Sequence, residues 1–466
     1  MNTSTKPGKA FLEELASICQ AEDLLTEPTE CWPYGYDNSR RHAPPAAVIF
    51  PRSHDQVADI MQLCHAQQVV IVPRGKGTGT TGATVPLDNA IVMSLERMTH
   101  ILEVDPDNRL IRVEPGVTNE AVQLAAKEHG FFWPPDPTSS AVCTIGGNLA
   151  YNSAGPRAVK YGTPRENTLA LKAVTGTGET LRTGSFTTKG VVGYDLTRLL
   201  IGSEGTLAII TEATLKLTPL AESKQTMQAI YADIDSAARA VSAIMAQAVT
   251  PCALEFIDQN AIEMIRDYSD AELPENAGAL LMIEVDGPAA AMQDNIAKIE
   301  TAASNQGSLS FSVAQSNEEV KALWATRKAL SPALRNIAPK KINEDVVVPV
   351  SHLPELINGL DALAAKHDIK IVNFGHAGNG NIHTNLLVDP DDPLQMQAAE
   401  HCLDEVFSLV LSLNGSLSGE HGVGLEKRDF IHRELDPVSI KLMQQLKLQF
   451  DPHNILNPGK TLPLSD

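Results

Sequence analysis

The chain has 466 residues and a formal net charge of −20 at pH 7, from 57 acidic and 37 basic side chains. Affinity for nucleic-acid phosphates comes mostly from clustered Lys and Arg, so this balance argues against a nucleic-acid partner. Hydrophobic residues make up 43% of the chain, which is enough for sizeable cores. The length suggests about three domains, or one large two-lobed enzyme.

Cysteine spacing and the N-terminus restrict the protein class further. The six cysteines are never closer than twelve residues, so the chain has no CxxC pair and no ligand run for an iron–sulfur cluster. We expect them to be reduced and mostly buried. No run of eighteen apolar residues occurs, and the first ten residues lack the apolar stretch of a signal peptide. We therefore expect a soluble cytoplasmic protein, with peripheral association to the inner face of the membrane left open.

The first predicted elements lead into a glycine-rich loop. Residues 46–50 and 69–72 have the apolar character of strands, and residues 54–68 carry an apolar stripe at helical spacing. The loop at residues 74–82 contains four glycines, which would leave backbone N–H groups free to cradle an anion. Its spacing is G-x-G-x-x-x-x-G and no helix pattern follows, so it is not the NAD-binding fingerprint. An ordinary turn is the simpler alternative.

Further glycine-rich polar segments lie between apolar runs, at residues 134–140, 144–150, 152–155 and 201–210. Loops that recur this regularly are typical of a surface that holds one long, phosphate-bearing ligand. Ordinary tight turns remain the alternative.

From residue 221 the pattern changes to alternating strands and helices, which indicates an α+β layer with helices on one face of a sheet. Predicted strands are residues 227–231, 280–285 and 309–313, and predicted helices are 235–247, 289–303, 317–335 and 394–411. Pro332 predicts a kink or an end in the third of these helices. The closing Pro- and Asn-rich segment, residues 450–460, is predicted to be rigid.

Two histidines flank a predicted hairpin turn. Asn379-Gly380 lies between apolar runs, which is the strongest short-range hairpin signal. If these are the two turn residues, His376 faces His383 directly, with Cβ atoms roughly 5 Å apart. Both imidazoles could then reach one divalent cation, and Asn385 lies on the same face. Either histidine alone would more often be a solvated or hydrogen-bonded side chain.

Glu420 is the candidate third ligand. It supplies a hard oxygen within a glycine-rich stretch, residues 414–424, where backbone can approach a site closely. Two imidazoles and one carboxylate leave a fourth position for a substrate, which is typical of a catalytic metal site.

These motifs, in this order, resemble one enzyme family. Residues 75–82, 146–148, 202–206, 376–383, 418–422 and 450–460 are similar to segments of the FAD-linked D-2-hydroxyacid dehydrogenases. That family includes D-lactate dehydrogenase, the glycolate oxidase flavoprotein subunit and D-2-hydroxyglutarate dehydrogenase. The resemblance extends from about residue 46 to 460.

The resemblance implies an α+β fold of the vanillyl-alcohol-oxidase or p-cresol-methylhydroxylase type. A two-subdomain FAD-binding domain would occupy residues 1–220, with its typical part at about 42–220. An α+β cap domain would carry the substrate face at residues 221–415. Residues 416–466 would return to the FAD site.

The resemblance also assigns the cofactor residues. Arg74, Gly75, Lys76, Gly77, Thr78, Gly79 and Thr80 would wrap the FAD pyrophosphate. Further FAD contacts would be Pro135, Asp136, Thr138, Gly146, Gly147, Asn152, Ser153, Gly155, Glu204, Gly205, Ile210 and Asn457. Relatives with covalent flavin use a histidine in the pyrophosphate loop. Residues 74–82 contain none, so we expect non-covalent FAD.

For the active site, the resemblance implies a zinc-type divalent metal on His376, His383 and Glu420. His421 would be the base that takes the hydroxyl proton while hydride leaves Cα for the flavin. Arg327 would grip the substrate carboxylate, a bidentate task suited to guanidinium.

One difference between this chain and the hydroxyglutarate enzymes of the family bears on the substrate. Hydroxyglutarate enzymes place a Lys two residues before the residue that is Asp345 here, whereas this chain has Asn343 at that position. Lys341, Ser331 and Asn385 are the other candidate substrate contacts. A dicarboxylate needs a second cation. We therefore expect D-lactate, with D-2-hydroxyglutarate and glycolate as alternatives.

The electron acceptor stays open among a quinone, a cytochrome, an electron-transfer flavoprotein and an iron–sulfur partner subunit, and a homodimer is compatible with the sequence. A metal-dependent hydrolase would fit the metal ligands alone but would be colourless, whereas a flavoprotein is yellow. A non-catalytic flavoprotein scaffold would not need the metal ligands or His421.

Overall fold

The computed structural model describes residues 7–87, 89–268 and 273–463. The chain forms two compact units. The first comprises the described residues up to Ala154, then Gly162–Leu220 and the chain from Glu420 onward. The second comprises Gly155–Tyr161 and Ala221–Gly419.

The described residues contain eighteen strands, some of only two residues. They are β1 Leu24–Leu25, β2 Ala47–Ile49, β3 Ile71–Arg74, β4 Ile91–Ser94, β5 Ile101–Asp105, β6 Leu110–Val113, β7 Phe131–Phe132, β8 Thr168–Thr175, β9 Thr180–Gly184, β10 Ala208–Lys216, β11 Thr218–Pro219, β12 Ser223–Tyr231, β13 Ala253–Asp258, β14 Ala279–Gly287, β15 Ser308–Val313, β16 Lys340–Val347, β17 Lys370–His376 and β18 Asn381–Val388.

Fourteen α-helices lie in the same ranges. They are α1 Lys9–Ile18, α2 Pro28–Cys31, α3 His54–Gln67, α4 Asn119–Lys127, α5 Ile145–Tyr151, α6 Ala158–Tyr161, α7 Leu196–Leu200, α8 Ile234–Ala246, α9 Gln259–Tyr268, α10 Met292–Ala303, α11 Asn317–Ile337, α12 Leu353–His367, α13 Pro393–Ser412 and α14 Pro437–Phe450.

The first unit is built on two larger sheets and one short pair. Their strand orders are β1-β2-β4-β3, β5-β6-β10-β8-β9 and β11-β7. The predicted helix after β2 is confirmed as α3, and its stripe of Val57, Ile60, Met61 and Cys64 is fully buried. Ser53 caps its N-terminus by accepting a hydrogen bond from the backbone N–H of Gln56. β3 then ends at the residue that opens the glycine-rich loop.

The C-terminal segment is anchored in the first unit. Ile71 donates its N–H to the carbonyl of Ile455 at 2.9 Å, and its own carbonyl accepts from Asn457 N at 2.8 Å. Ile455 and Leu456 are buried in the core beneath β3. Part of the segment 450–460, which is predicted to be rigid, thus pairs its backbone with the edge strand β3.

The second unit has one antiparallel sheet of seven strands in the order β15-β12-β14-β13-β17-β18-β16. Three strands that bear candidate site residues are adjacent, namely β17, β18 and β16, and β13 pairs with the other edge of β17. Because side chains alternate between faces, residues that oppose one another across these strands share one face. We call the face that carries His376 and His383 the site face.

Helices cover both faces of this sheet, so the prediction of helices on one face is wrong. On the site face, Leu330 and Leu334 of α11 and Ile262 of α9 pack against Phe374 and other strand residues in one apolar cluster. On the opposite face, Tyr231 donates its hydroxyl to the carbonyl of Ala303 at the end of α10. Strands that are apolar on both sides need cover on both sides, and the alternation alone did not reveal this.

Helix α11 runs from Asn317 to Ile337 without ending at Pro332. Of the two outcomes predicted for this proline, the helix end is therefore wrong, and the kink stays a prediction. Buried Leu330 and Leu334 anchor the helix on both sides of Pro332, and this packing compensates for the lost backbone hydrogen bond.

Five of the six cysteines are buried and all six are free thiols, as expected. Within the described ranges, no helix is both long enough and apolar enough to traverse a lipid bilayer.

Candidate active site

The two histidines of the predicted metal site lie on the hairpin formed by β17 and β18. The predicted register is wrong: His376 faces Asn381, and His383 faces Phe374. The loop has four residues rather than two, because residues 377–379 form a 3₁₀ turn that closes on Gly380, whose φ is +71°. The pairing is displaced by two residues, an even number, so both histidines still share the site face.

The imidazoles are diagonal neighbours. Their ring centroids are 5.2 Å apart, with the planes inclined at 83°. Both residues are about nine-tenths buried, with 8% of each surface exposed. Asn385 lies on the same face two residues beyond His383, as predicted.

Glu420, the predicted third ligand, begins the last segment of the first unit. It follows Gly419 directly, and the N–H of Gly419 donates to the backbone carbonyl of Asp345 at 2.8 Å and to its carboxylate at 2.9 Å. Asp345 is the cross-strand neighbour of His383. His376 and His383 belong to the second unit and Glu420 to the first, so the three-ligand metal site stays a prediction. Two imidazole nitrogens and a carboxylate oxygen form a donor set that suits zinc.

Glu255 is a residue of the site that the sequence analysis missed. It lies on β13 directly opposite His376 and is 1% exposed. Its Oε1 is 2.5 Å from Nδ1 of His376. Burial by itself would raise the pKa of Glu255, but His376 and Arg327 outweigh burial and lower it below its ordinary value. A buried, ionised carboxylate next to a candidate metal ligand therefore belongs to the site.

Arg327 reaches the same carboxylate from α11. Its Nε and Nη2 both lie 2.8 Å from Oε2 of Glu255. The guanidinium carbon is 4.8 Å from the ring centroid of Phe374, a cation–π distance. Glu255 thus lies between Arg327 and His376 and contacts both side chains.

The predicted substrate contacts lie on β16 and β18. Asn343 faces Asn385 in register, and Asn343 Nδ2 donates to Asn385 Oδ1 at 2.6 Å. Asn385 is fully buried and donates to the carbonyls of Val372 and His383. Lys341 lies on the same face of β16 as Asn343. The side chain of Ser331 lies outside the part of the structure that is described.

The glycine-rich loop of the first unit is arranged to accept an anion. Asn38 binds the carbonyls of Thr78 and Gly79 through its side chain and backbone N–H, which holds the loop in place. Across residues 7–87, 89–268 and 273–463, no hydrogen-bond acceptor is found for the backbone N–H groups of residues 76–80. Five successive N–H groups without a protein partner fit a ligand phosphate.

The first and third residues of the loop have supporting roles. Arg74 is 7% exposed, and its Nη1 donates to the carbonyl of Tyr36 at 2.7 Å. A Cβ at Gly77 would collide with the Arg74 guanidinium, so the arginine braces the loop from beneath. Lys76 is exposed and pairs with Glu96 at 3.0 Å.

A pocket lies beside this loop, entirely within the first unit. Six of the predicted FAD residues line it: Arg74, Gly75, Gly146, Gly147, Gly205 and Ile210. The sequence analysis missed the remaining lining residues, which are mostly apolar or small: Pro73, Thr84, Leu95, Pro115, Thr144, Ala150, Tyr151, Leu200, Ser203, Ala208 and Ile209. Several of them, such as Thr144 and Ser203, lie close to the identified glycines, whereas Leu95 and Pro115 lie outside every identified segment and gave no such signal.

Glu204 and Asn457 hold the C-terminal segment against the pocket side of the unit. Glu204 is 5% exposed, and its carboxylate accepts the N–H groups of Val423 and Gly424. Burial raises its pKa. Asn457 Nδ2 donates to the carbonyls of Ala83 and Glu204, whereas its buried Oδ1 has no partner among the residues described. An unsatisfied buried acceptor fits a site that a ligand completes.

The other predicted FAD residues are dispersed. Asn152 ends α5 with φ of +57° and accepts a hydrogen bond from the hydroxyl of Thr163. Ser153 donates to the carbonyl of Glu420 at 3.5 Å. Pro135 is buried, Asp136 donates its N–H to the carbonyl of Ala154, Thr138 is exposed, and Gly155 belongs to the second unit.

His421, the predicted base, follows Glu420 directly. Its carbonyl accepts a hydrogen bond from the hydroxyl of Thr81 at 3.3 Å. The N–H groups that follow it, those of Val423 and Gly424, are held by Glu204. The glycine-rich stretch around His421 is thus fixed on both sides within the first unit.

Comparison with known proteins identifies the family of enzymes to which this chain belongs. Residues 45–184 match the profile described as "FAD binding domain", and residues 220–461 match "FAD linked oxidases, C-terminal domain". The chain belongs to the FAD-linked oxidase family. It is an FAD-binding oxidoreductase of the D-lactate, glycolate and D-2-hydroxyglutarate dehydrogenase group, as the resemblance implied.

Three relatives illustrate the group. "Glycolate oxidase subunit GlcD" of Bacillus subtilis (strain 168) is 42% identical over 453 residues, which cover 97% of this chain and 96% of that protein. "Probable D-lactate dehydrogenase, mitochondrial" of Danio rerio is 33% identical, covering 93% and 87%. "D-2-hydroxyglutarate dehydrogenase" of Stutzerimonas stutzeri (strain A1501) is 32% identical, covering 97% and 98%.

The predicted fold type is confirmed by solved structures. The crystal structure of p-cresol methylhydroxylase with substrate bound aligns with a TM-score of 0.81 at 16% identity, covering 100% of this chain and 99% of that one. At this identity the likeness concerns the fold alone, which is the p-cresol-methylhydroxylase type.

Proposed function

We propose that this enzyme oxidises a D-2-hydroxy monocarboxylate, D-lactate first, to the 2-oxo acid and passes the electrons to an acceptor other than NAD. The observation that carries the proposal is the neutral pair formed by Asn343 and Asn385 on the site face. In the hydroxyglutarate enzymes a lysine is expected at the position of Asn343. A second substrate carboxylate would need such a cation to replace its water shell.

We further propose that His376, His383 and Glu420 hold a divalent metal, zinc being the best match to their donor atoms. The support is chemical. An ionised carboxylate can only accept a hydrogen bond, so the contact with Glu255 puts the proton of the His376 ring on Nδ1 and leaves Nε2 as the ligand nitrogen.

The cofactors supply two kinds of chemistry. When bound, FAD accepts the hydride that leaves the substrate Cα, and the divalent cation acts as a Lewis acid that makes the substrate hydroxyl more acidic. The side chains of the protein orient the substrate and accept its hydroxyl proton. Arg327 orients the substrate carboxylate, and a ring nitrogen of His421 takes the hydroxyl proton. One proton and one hydride thus leave the substrate as the carbonyl forms.

Glycolate is the second candidate substrate. The 42% identical relative carries the name of a glycolate oxidase subunit, and glycolate is also a short monocarboxylate. It satisfies the same charge argument as D-lactate. The two substrates differ only by the methyl group on Cα, so rates on both decide between them.

The electrons must leave the flavin for a further acceptor. With no cysteine cluster in the sequence, the chain has no ligands for an iron–sulfur centre of its own. A quinone, a cytochrome, an electron-transfer flavoprotein or an iron–sulfur partner subunit are the acceptor classes that we propose.

The test is a steady-state comparison of D-lactate, L-lactate, glycolate and D-2-hydroxyglutarate with an artificial dye as acceptor. The proposal expects kcat/KM for D-lactate to exceed that for L-lactate and for D-2-hydroxyglutarate by at least about tenfold. No turnover of any 2-hydroxy acid by the FAD-loaded protein would overturn it.

A further inference from the structure

The buried carboxylate of Glu255 links two residues with different proposed tasks. Oε1 lies against Nδ1 of His376, and Oε2 lies against the Nε and Nη2 edge of Arg327. Three residues on three elements, β13, β17 and α11, are thereby joined by hydrogen bonds through one side chain. Only 1% of Glu255 is exposed, so water does not compete for these contacts.

We propose that Glu255 is a positioning residue that fixes the ring orientation and tautomer of His376 for metal binding and, through the same carboxylate, holds Arg327 beside the metal. This inference rests on the proposed function and deepens it. Glu255 touches neither substrate nor cofactor in this scheme; it acts through the two residues that do.

The two oxygens of Glu255 impose the two geometries independently. A metal-bound histidine commonly donates its second ring N–H to a carboxylate, which fixes the tautomer and raises the basicity of the ligand nitrogen. An arginine held at one edge of its fork keeps the other edge for a second anion. Because Glu255 lies opposite His376 in the ladder, the backbone pairing itself sets the first distance.

The ion pair also changes the charge that a substrate meets. Arg327 with Glu255 is a nearly neutral unit, so much of the attraction for a substrate carboxylate would come from the proposed metal. At saturating Zn²⁺, removing the charge of Glu255 should therefore leave KM unchanged or lower it, because the positive charge of Arg327 is no longer neutralised, while the orientation of His376 is lost. Loss of a residue with a purely structural role would not weaken zinc binding while sparing substrate binding.

Glu255→Gln is the decisive variant because glutamine keeps the size and removes the charge. If its amide NH₂ faces His376, it donates to Nδ1 and forces the proton onto Nε2, the proposed ligand atom. If its oxygen faces His376, the NH₂ group opposes the donors of Arg327. Either arrangement breaks one of the two geometries.

The chain offers a matched control in Glu284. This other buried carboxylate of the same sheet face is 5% exposed and holds α11 through Trp324 Nε1 at 2.8 Å. It also accepts from Thr226 and pairs with Lys224. Glu284→Gln therefore removes a buried charge beneath the same helix without a direct bond to His376.

The experiment measures Zn²⁺ affinity of the FAD-loaded proteins by competition with a chromophoric chelator, together with kcat and KM. For Glu255→Gln we expect the zinc dissociation constant to rise about 10- to 100-fold and, with rates measured at saturating Zn²⁺, kcat to fall and KM not to rise. Glu284→Gln should bind zinc within about threefold of wild type. FAD content reports folding of the first unit, and cooperative thermal unfolding reports folding of the second unit, which contains both substituted residues.

Three results would overturn the inference. One is zinc affinity of Glu255→Gln within threefold of wild type; another is an equal loss in Glu284→Gln, which would trace the effect to the packing of α11. Should the single variant fail to fold, Glu255→Gln combined with Arg327→Gln removes both buried charges, and wild-type zinc affinity there would be the third. A wild-type protein that binds no zinc would instead refute the proposed metal function.

Discussion

The imidazole rings of His376 and His383 meet almost at right angles, 5.2 Å between centroids, although neither residue faces the other across the hairpin. The four-residue loop sets this diagonal arrangement. It directs both rings toward the same side of the sheet, the side that also carries Glu255 and Asp345.

Removing the metal should abolish turnover without releasing the flavin. His376→Ala, His383→Ala or treatment with a chelator should lower kcat by at least about a hundredfold, because a bound divalent cation stabilises developing charge on the substrate oxygen. Elemental analysis and flavin absorbance are measured alongside the rates. His401→Ala, an exposed histidine of α13, is the matched control. Full activity in metal-free protein would contradict this prediction.

The hairpin shows how much of the site the sequence could predict. The Asn-Gly signal correctly located the turn between two apolar strands, and alternation correctly put both histidines and Asn385 on one face. The loop length was wrong, because the 3₁₀ conformation of residues 377–379 depends on local backbone contacts that the pattern does not encode. The predicted face of the two histidines was still correct, because the actual register differs from the predicted one by two residues, an even number.

Glu255 could not be assigned in the same way. It lies 121 residues before His376 in the chain, and only the pairing of β13 with β17 brings them together. A signal did exist: a carboxylate inside the apolar run Leu254-Glu255-Phe256 is costly unless it is paired. That pattern indicates a buried charge but not its partner.

The flavin should be released by acid. The loop at residues 74–82 contains no histidine, so hydrogen bonds and packing alone should hold FAD. Acid precipitation should leave a yellow supernatant and a colourless pellet, measured by absorbance near 450 nm. A pellet that stays yellow after washing would mean a covalent link through another residue.

His421 and Arg327 should fail differently when replaced. His421→Ala should chiefly depress kcat and remove the acidic limb of the pH–rate profile, because it acts on the proton that is transferred. Arg327→Gln should chiefly raise KM, by roughly 30- to 700-fold if a desolvated charge-assisted pair contributes about 2–4 kcal/mol. An unchanged acidic limb in His421→Ala would assign the base to another residue.

Asp258 predicts how stability changes with pH. Burial raises the pKa of its carboxyl to about 7, although Ala261 and Asn373 donate three hydrogen bonds to it. An unfolded Asp titrates near pH 4, so between about pH 4 and 7 the folded protein keeps a proton that the unfolded chain has lost. The contribution of this group to stability therefore falls as pH rises through that window.

Asp258→Asn has no ionisable group at this position, so its stability lacks the pH dependence that Asp258 gives the wild type. Its free energy of unfolding relative to wild type should thus rise by about 2 to 3 kcal/mol between pH 5 and pH 8, as measured by denaturant unfolding. The control is Asp294→Asn, on the exposed side of α10, whose difference from wild type should stay constant. A constant difference for Asp258→Asn as well would show that its three donors keep the carboxylate ionised.

Substrate choice should respond to a single charge at Asn343. This side chain is half-buried, uncharged and bonded to Asn385, whereas the hydroxyglutarate enzymes are expected to carry a lysine there. Asn343→Lys should raise kcat/KM for D-2-hydroxyglutarate relative to D-lactate by at least about tenfold, equivalent to about 1.4 kcal/mol of transition-state binding. Asn358→Lys adds the same charge on the exposed side of α12 and should leave the ratio unchanged. If the wild-type protein already prefers D-2-hydroxyglutarate by tenfold, Lys341 or another cation on the site face supplies the second charge, and the preference for a monocarboxylate is wrong.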